Sequence, residues 1–419
     1  MQRFFPRRLA RPQLAVIFFV FSASAFAQGL SFDAALRMAA QRAPLLQARN
    51  ASIQGAQALQ TSASQLPDPK LSVGIDSLPI NGPDRGSLVR DNFTQRQLGW
   101  TQEVPNQAKR AARSDAAAAR TQREQALLQV DQFTVRRETG MHWLAHYYAA
   151  QRLALFDTLI AQQRLLQDTA TGQLAAGKIA PAEVSQIKLE VLALADRRDE
   201  LQRDVRATEA ALRRLTGAAP DTPLSSEVPS FKVDLAALQS NLDRLPEITA
   251  LEPLRAMAQA ELREAEAARS GDWSWGLRYG KRGPAYSDFA SVQLTFDLPL
   301  FQAERQQPQI TARQKELLRL ELERDDIRQQ QLQGLDTLRA ELAEIDNKLE
   351  RLIRQAIPLA EERSALTLAA YQSGRDKLAP VLEARKQQTE IGLRLIELQG
   401  RQRALQWRLS SMLPEPAPS

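Results

Sequence analysis

Apolar residues recur at helical spacing over two long proline-free stretches of this chain. From about Gln107 to Thr169 an apolar stripe advances by four and seven residues alternately, which is typical of a nearly straight helix. From Gln309 to Ala356 the apolar positions follow three-four spacing, which predicts a heptad seam with left-handed coiled-coil packing. At a rise of 1.5 Å per residue, helices of roughly 60 to 70 residues are about 100 Å long. The pattern therefore predicts a rod or a tube rather than a globule.

Four shorter segments alternate apolar and polar residues, which predicts strands at about 70–80, 93–104, 272–281 and 287–298. In the last two strands one face carries Val292, Leu294, Phe296, Trp273 and Trp275, and the other carries Gln293, Thr295, Asp297 and Arg278. Two interpretations fit. The strands either form a small sheet that packs its apolar face on the helices, or cross a membrane with one face toward lipid and the other toward a wet lumen. We favour the membrane, because both strand pairs fall at the same end of long helices and carry aromatic residues suited to a membrane interface.

An internal repeat spans most of the chain and sets its organisation. "LGWTQEVP" at 98–105 matches "VQLTFDLP" at 292–299, and "AAGKIAPAEV" at 175–184 matches "QSGRDKLAPV" at 372–381. Each half therefore reads helix, strand, strand, long helix, turn, helix. We predict a first repeat at 28–217, with its helical hairpin at about 106–217, and a connector at 218–240. A second repeat follows at 241–413, with its hairpin at about 302–413, and a short tail at 414–419.

The first 27 residues read as a secretory signal peptide, with four arginines, an apolar segment and a small-residue cleavage site at 25–27. Removal of these four positive charges lowers the formal net charge from +6 to +2, so the basic pI gives no reason to expect a nucleic-acid partner. The chain contains no cysteine, which excludes disulfides, thiol catalysis, cysteine metal sites and a lipid anchor on cysteine.

Four local segments accompany this order of elements: "LSFDAALRMAAQRAPLLQARN", "TQEVPNQAKRAARSDAAAA", "AAGKIAPAEV" and "YQSGRDKLAPVLEA". Together with the order of the elements, they resemble the TolC family of outer-membrane factors, also called outer-membrane efflux proteins. The resemblance implies a mainly α-helical chain with four strands. Three copies would form a twelve-stranded membrane β-barrel continued by a periplasmic α-helical barrel. It also implies an exit duct for a tripartite RND-type efflux system, in contact with outer-membrane lipid, a periplasmic adaptor protein and an inner-membrane pump.

The stretch from 66 to 105 is most similar to the branch of this family associated with heavy-metal efflux. The same duct serving drug efflux or type I secretion remains an alternative. A soluble periplasmic coiled-coil adaptor is the alternative from another class, although such adaptors usually have a single hairpin and this chain has two.

The two hairpin turns are predicted at Gly177 and Gly374, where glycine suits the helix C-terminus. The resemblance implies that these turns form the periplasmic tip and that acidic residues beyond them surround a closed aperture. The candidates are Glu183 in the first repeat and Glu383 and Asp376 in the second. Ordinary solvated helix charge is the competing interpretation.

Neither catalytic nor cofactor chemistry is evident in the sequence. It has no phosphate-binding glycine loop, no nucleophile elbow and no recognisable catalytic carboxylate pair, so we expect no enzyme activity and no cofactor. His142 and His146 share a helix face, and we favour packing over metal binding because no third ligand is evident. The basic cluster "KRAAR" at 109–113 either faces anionic lipid head groups or is a solvated helix face, and we favour the solvated face.

Overall fold

The computed structural model describes residues 29–177 and 179–412, leaving aside the side chain of Leu166. The expected signal peptide and the tail at 414–419 lie outside the described residues. Among the helices that are described, none combines the length and the apolar character needed to cross a lipid bilayer.

The first repeat contains four helices and two strands. They are α1 (Phe32–Arg42), α2 (Pro44–Ala63), β1 (Lys70–Asp76), β2 (Gln95–Val104), α3 (Gln107–Ala175) and α4 (Pro181–Thr216). Ser31 caps α1 by accepting a hydrogen bond from the backbone N of Ala34 at 3.2 Å. The helix is interrupted at Ala43, between α1 and α2, because the residue before a proline avoids helical geometry.

A connector with three short helical elements leads to the second repeat. The connector holds α5 (Leu235–Ser240), a 3₁₀ turn (Leu242–Arg244) and α6 (Pro246–Thr249). The second repeat holds α7 (Leu251–Ala267), β3 (Trp273–Lys281), β4 (Phe289–Phe296), α8 (Gln306–Arg351), a π-helical segment (Leu352–Ala356), α9 (Ile357–Gln372) and α10 (Leu378–Ser410). The mainly helical fold class and the duplicated order of elements are thus confirmed.

The helices form four struts that lie side by side. Helix α2 and then α4 run antiparallel along α3: Arg49 of α2 pairs with Asp131 at 2.7 Å, and Arg198 of α4 pairs with Asp157 at 2.6 Å. Helices α7 and α10 follow α8 and α9 in the same way. Contacts of α3 with α7 and α10 join the two halves, so the lateral order is α2/α4, α3, α7/α10, α8/α9.

The four strands form one antiparallel sheet in the order β1, β2, β3, β4. The central pairing joins the two repeats, with Leu98 opposite Tyr279 and Trp100 opposite Leu277. Each strand adjoins in sequence the helix that occupies the same lateral place, β1 with α2, β2 with α3, β3 with α7 and β4 with α8. The strand order and the helix order are therefore the same.

An aromatic core ties the connector to the middle of the struts. Phe32 meets Trp143 and Trp407 edge to face at 5.5 and 4.9 Å. Each indole donates to a backbone oxygen, Trp143 to Leu30 and Trp407 to Arg137. Because both indole N–H groups are hydrogen-bonded, burial of these large rings leaves neither donor without a partner.

Candidate functional site

The apolar face of the sheet is open to solvent in the single chain. Val292 and Leu294 expose 74% and 58% of their surface, and Phe296 and Trp273 are also exposed, whereas Trp275 is half-buried. The same face continues on β1 through Leu71, Val73 and Ile75, all exposed. So large an apolar patch on a protein surface marks a site that contacts another protein or lipid.

This exposure contradicts the interpretation in which the sheet packs its apolar face on the helices. The strands extend the line of the struts instead of folding back on them, and among the described residues nothing covers Leu71 or Leu294. A set of hydrogen bonds fixes the chain at the two central strand–helix junctions, between β2 and α3 and between α7 and β3.

Asn106 and Asp272 form these junction contacts. Asn106 caps α3 by accepting from the backbone N of Lys109 at 2.8 Å, and its Nδ2 donates to the backbone oxygen of Ser270 at 2.9 Å. Asp272 accepts from the backbone N of Asn106 at 2.9 Å and from Lys109 Nζ at 2.8 Å. Although partial burial alone raises the pKa of Asp272, the hydrogen bond from Lys109 holds that pKa below its usual range.

The basic cluster at 109–113 is partly solvated, with Arg113 exposed, and its cations make contacts within the chain. Lys109 binds Asp272, Arg113 binds Glu264 at 2.6 Å, and Arg110 donates to a backbone oxygen at 3.0 Å. The acids that pair with the cluster lie more than 140 residues away in sequence, which hid them from inspection of the segment alone.

The opposite face of the sheet is polar, as its alternation predicted. Arg278 and Gln293 lie on this face and are joined by a hydrogen bond of 3.4 Å, with Thr295 two residues further along β4. Asp297 lies one residue beyond the end of β4, and its backbone N still donates to the backbone oxygen of Asp272 at 2.8 Å. The pairing goes no further, because Pro299 has no backbone N–H to donate. A lumen-facing role for these residues stays a prediction.

The two edge struts expose more large hydrophobic side chains than the two central struts. Among the described side chains, the edge struts α2/α4 and α8/α9 carry nine exposed large hydrophobic residues, Leu45, Leu59, Leu189, Leu192, Leu318, Leu322, Ile353, Leu359 and Leu366. The two central struts carry one, Leu165. Strands β1 and β4, which lie on these same sides, each have one edge without a partner strand in the described chain. Helical and sheet edges are thus incomplete on the same two sides.

The two hairpin turns lie together at the end opposite the sheet. Gly177 and Gly374 adopt φ of 69° and 72°, the left-handed geometry that glycine accepts without strain. Gln173 donates to the hydroxyl of Tyr371 at 2.9 Å, and Lys377 Nζ lies 4.0 Å from Glu183 Oε1. Buried apolar residues of both hairpins pack beneath these contacts. The two turns therefore form one tip.

The other two acidic candidates at this tip are exposed. Asp376 accepts a hydrogen bond from the backbone N of Lys377 at 2.7 Å, and Glu383 has no ion pair or hydrogen bond within the described chain. Only Glu183 among the acidic candidates faces a cation of the other hairpin. Whether any of them surrounds an aperture remains a prediction.

The histidine pair lies in the packed middle of the molecule. His146 is buried, with its Nδ1 3.2 Å from the hydroxyl of Thr208. Burial lowers the pKa of both His142 and His146, which favours their neutral forms. Across the parts of the chain that the structure describes, no three His, Asp or Glu side chains gather as metal ligands.

Comparison with known proteins gives likeness of structure without likeness of sequence. No family model matches the chain, and no curated protein matches it. Among solved structures, a membrane protein from Pseudomonas aeruginosa superposes with a TM-score of 0.78 at 16% identity, over 91% of this chain and 92% of that one. CusC, described in connection with transmembrane channel formation, gives 0.77 at 15% over 98% and 99%. The outer-membrane protein VceC from Vibrio cholerae gives 0.71 at 19% over 90% and 94%. The chain thus has the fold of the TolC-family outer-membrane channels.

Proposed function

We propose that three copies of this chain form an outer-membrane channel with a long periplasmic part. The channel would be the exit duct of a tripartite RND-type efflux system, working with a periplasmic adaptor and an inner-membrane pump. The observation that carries the proposal is the shared lateral order of strands and struts, together with the exposed large hydrophobic side chains of the edge struts. The solved channels of this fold support it.

The number of strands explains why assembly is required. A four-stranded sheet in lipid leaves two edges with unpaired backbone groups, each of which costs several kcal/mol. A nine-residue strand such as β3 measures about 30 Å and rises about 23 Å when tilted by about 40°, close to the apolar band of membrane barrels. Three chains would pair β4 of one copy with β1 of the next and leave no edge.

The experiment that tests the assembly compares two neighbouring positions on β4. Leu294→Arg places a charge on the face assigned to lipid, at about 2 to 4 kcal/mol per copy near the bilayer midplane, whereas Gln293→Arg places it on the lumen face. We expect the first variant to lose detergent-extractable outer-membrane trimer and the second to retain it. Equal behaviour of the two variants, or release of the unaltered protein as a soluble monomer by osmotic shock, would support the periplasmic adaptor instead.

The hairpin tip is the part of this duct that we assign to gating. The ion pair of Lys377 with Glu183 and the hydrogen bond of Gln173 to Tyr371 would keep the pore closed. Glu383 and Asp376 would add negative charge to a water-filled pore. We expect Lys377→Gln to raise single-channel conductance in planar bilayers and Glu383→Ala to reduce its sensitivity to divalent cations. Unchanged conductance in both variants would remove the gate from this site.

Heavy-metal cations are the cargo that we propose for the system. The support is the segment at 66–105 and the structural likeness to CusC, which is one channel among several of this fold. Deletion should sensitise cells to metal salts more than to organic toxicants. The opposite pattern would assign drug efflux to the same duct.

A further inference from the structure

A cavity of about 510 Å³ lies where α4 and α10 flank α3. Its lining comes from one protomer, from residues 152–163 of α3, 190–197 of α4 and 386–397 of α10. Helices α8 and α9 contribute nothing to it, and neither does the sheet. The volume falls within the range of small-molecule sites, roughly 300 to 1,000 Å³.

The floor of this cavity is apolar. Phe156 and Leu159 of α3 are almost completely buried, and Leu194 and Leu393 approach from the two flanking helices. An aromatic ring or a short aliphatic body placed here would bury apolar surface against both flanking helices at once, which favours its binding.

Two polar groups of α3 line the same cavity without partners. Gln163 keeps only 4% of its surface exposed, and its amide makes no hydrogen bond to any described residue. The Nε of Arg152 is also buried and has no hydrogen-bond partner. An acceptor in the cavity can reach the Gln163 amide and the terminal nitrogens of Arg152, and neither group has a protein partner to give up.

Some charges of the lining are already paired inside the protein. Arg197 binds Glu200 along α4, and Glu397 accepts from Arg401 at 2.8 Å along α10. These four groups balance one another and leave no charge for a ligand.

The remaining charges have a positive excess. Arg152, Lys386 and Arg394 line the cavity without an ion pair in the described chain, and Glu390 is the unpaired acid among them. Glu190 accepts a hydrogen bond from within its own helix at 3.3 Å. Counting Glu190 as well as Glu390, the cations still outnumber the acids, so the cavity favours a negatively charged occupant.

We propose that this cavity binds a small organic anion with an apolar body, its carboxylate or sulfonate held by Arg152 with Gln163 and its body on Phe156. Helix α4 belongs to the first hairpin and α10 to the second. A ligand that touches both therefore holds the two hairpins together. This last consequence rests on the proposed function, whereas the binding itself does not.

The test is calorimetric titration of the full chain in a non-ionic detergent, with empty micelles as the blank. The probe is naphthalene-2-carboxylate, and naphthalene-2-carboxamide is its uncharged counterpart. We expect one carboxylate per chain, bound at least about tenfold more tightly than the amide, because hydrogen bonds to a charged group are stronger than those between neutral groups.

Matched variants decide whether the site is the one described. Arg152→Met should weaken carboxylate binding about tenfold or more, whereas Arg120→Met, at an exposed position on the same helix, should leave it unchanged. Should Arg152→Met fail to fold, as judged by its helical circular dichroism, Arg394→Met gives the second measurement. Equal affinity for acid and amide, or equal affinity in the Met variants and the unaltered protein, overturns the inference.

The outcome is separable from that of the channel experiments. Absent binding with normal conductance overturns the anion site alone. Retained binding in a chain that never forms a channel overturns the proposed function alone.

Discussion

The two longest struts, α3 and α8–α9, occupy equivalent places in the two repeats but different places in the layer. Helix α3 lies in the centre and packs on both sides, whereas α8–α9 lies at an edge and packs on one side. Among the described side chains, α3 exposes one large hydrophobic residue and the edge strut exposes five. Duplication of the sequence therefore repeated the topology but not the surroundings, because the edge strut leaves exposed the large apolar side chains that a central strut buries.

The two struts also differ in regularity. Helix α3 runs unbroken for 69 residues, whereas α8 passes into α9 through the π-helical segment that precedes Pro358. Proline lacks the N–H that closes a helical turn and its ring collides with the preceding turn, so a widened turn accommodates it. The equivalent position of α3 is Ala161, which needs no such adjustment.

The largest expected effect distinguishes the centre from the edge. Leu144 of α3 exposes 1% of its surface, and Leu144→Ala should lower the free energy of unfolding by about 2 to 5 kcal/mol. Leu322 of α8 exposes 61%, and Leu322→Ala should change protomer stability by less than about 0.5 kcal/mol while weakening association between copies. Urea unfolding of the helical signal and native mass spectrometry measure the two quantities. Similar losses of stability in both variants would contradict the comparison.

A proline exchange tests the difference in regularity. Ala161→Pro should destabilise α3 by about 3 kcal/mol, because no π-helical turn exists there to receive the ring. Pro358→Ala should slow amide hydrogen exchange at residues 354–362, because a regular turn can close again. If exchange at those residues stays as fast as before, Pro358 is not the cause of the widened turn.

The smallest effect is a pH dependence confined to the central strut. Because burial lowers the pKa of His142 and His146 in the folded chain, the unfolded chain takes up protons first as the pH falls through about 6.5. The free energy of unfolding should therefore be highest above that pH and decrease below it. His146→Gln should flatten the decline in the unfolding midpoint measured from pH 8 to pH 5. An unaltered slope would assign the dependence to other groups.

Much of the fold could be predicted from local pattern, and its long-range contacts could not. Alternation assigned Leu294 and Gln293 to opposite faces, and the heptad spacing found Leu335 and Leu349 on the buried side of α8. Pattern could not foresee that β2 pairs with β3, since the two strands are separated by the whole first hairpin. For the same reason it missed the contact of Asp272 with Lys109.

In the candidate site, too, local features could be predicted from the sequence and long-range contacts could not. The tip glycines were evident because a left-handed turn leaves a local signature, as at Gly177. The approach of Lys377 to Glu183 depends on how two hairpins pack, which no single segment encodes. The cavity over Phe156 needs three helices at once and was not foreseen.

The shared order of strands and struts has a consequence for the width of the wall. Neighbouring strands are about 4.8 Å apart and packed helices about 9 Å, so four strands span roughly 19 Å where four struts span roughly 36 Å. Even a tilt of about 40° widens the sheet only to about 25 Å. The four short connections between strand and helix must span the remaining difference in width. Three of them contain proline, at Pro67, Pro105 and Pro299. The fourth has Gly271, where any side chain would overlap the backbone of Asp297. These few residues connect a narrow sheet to a wider layer of helices.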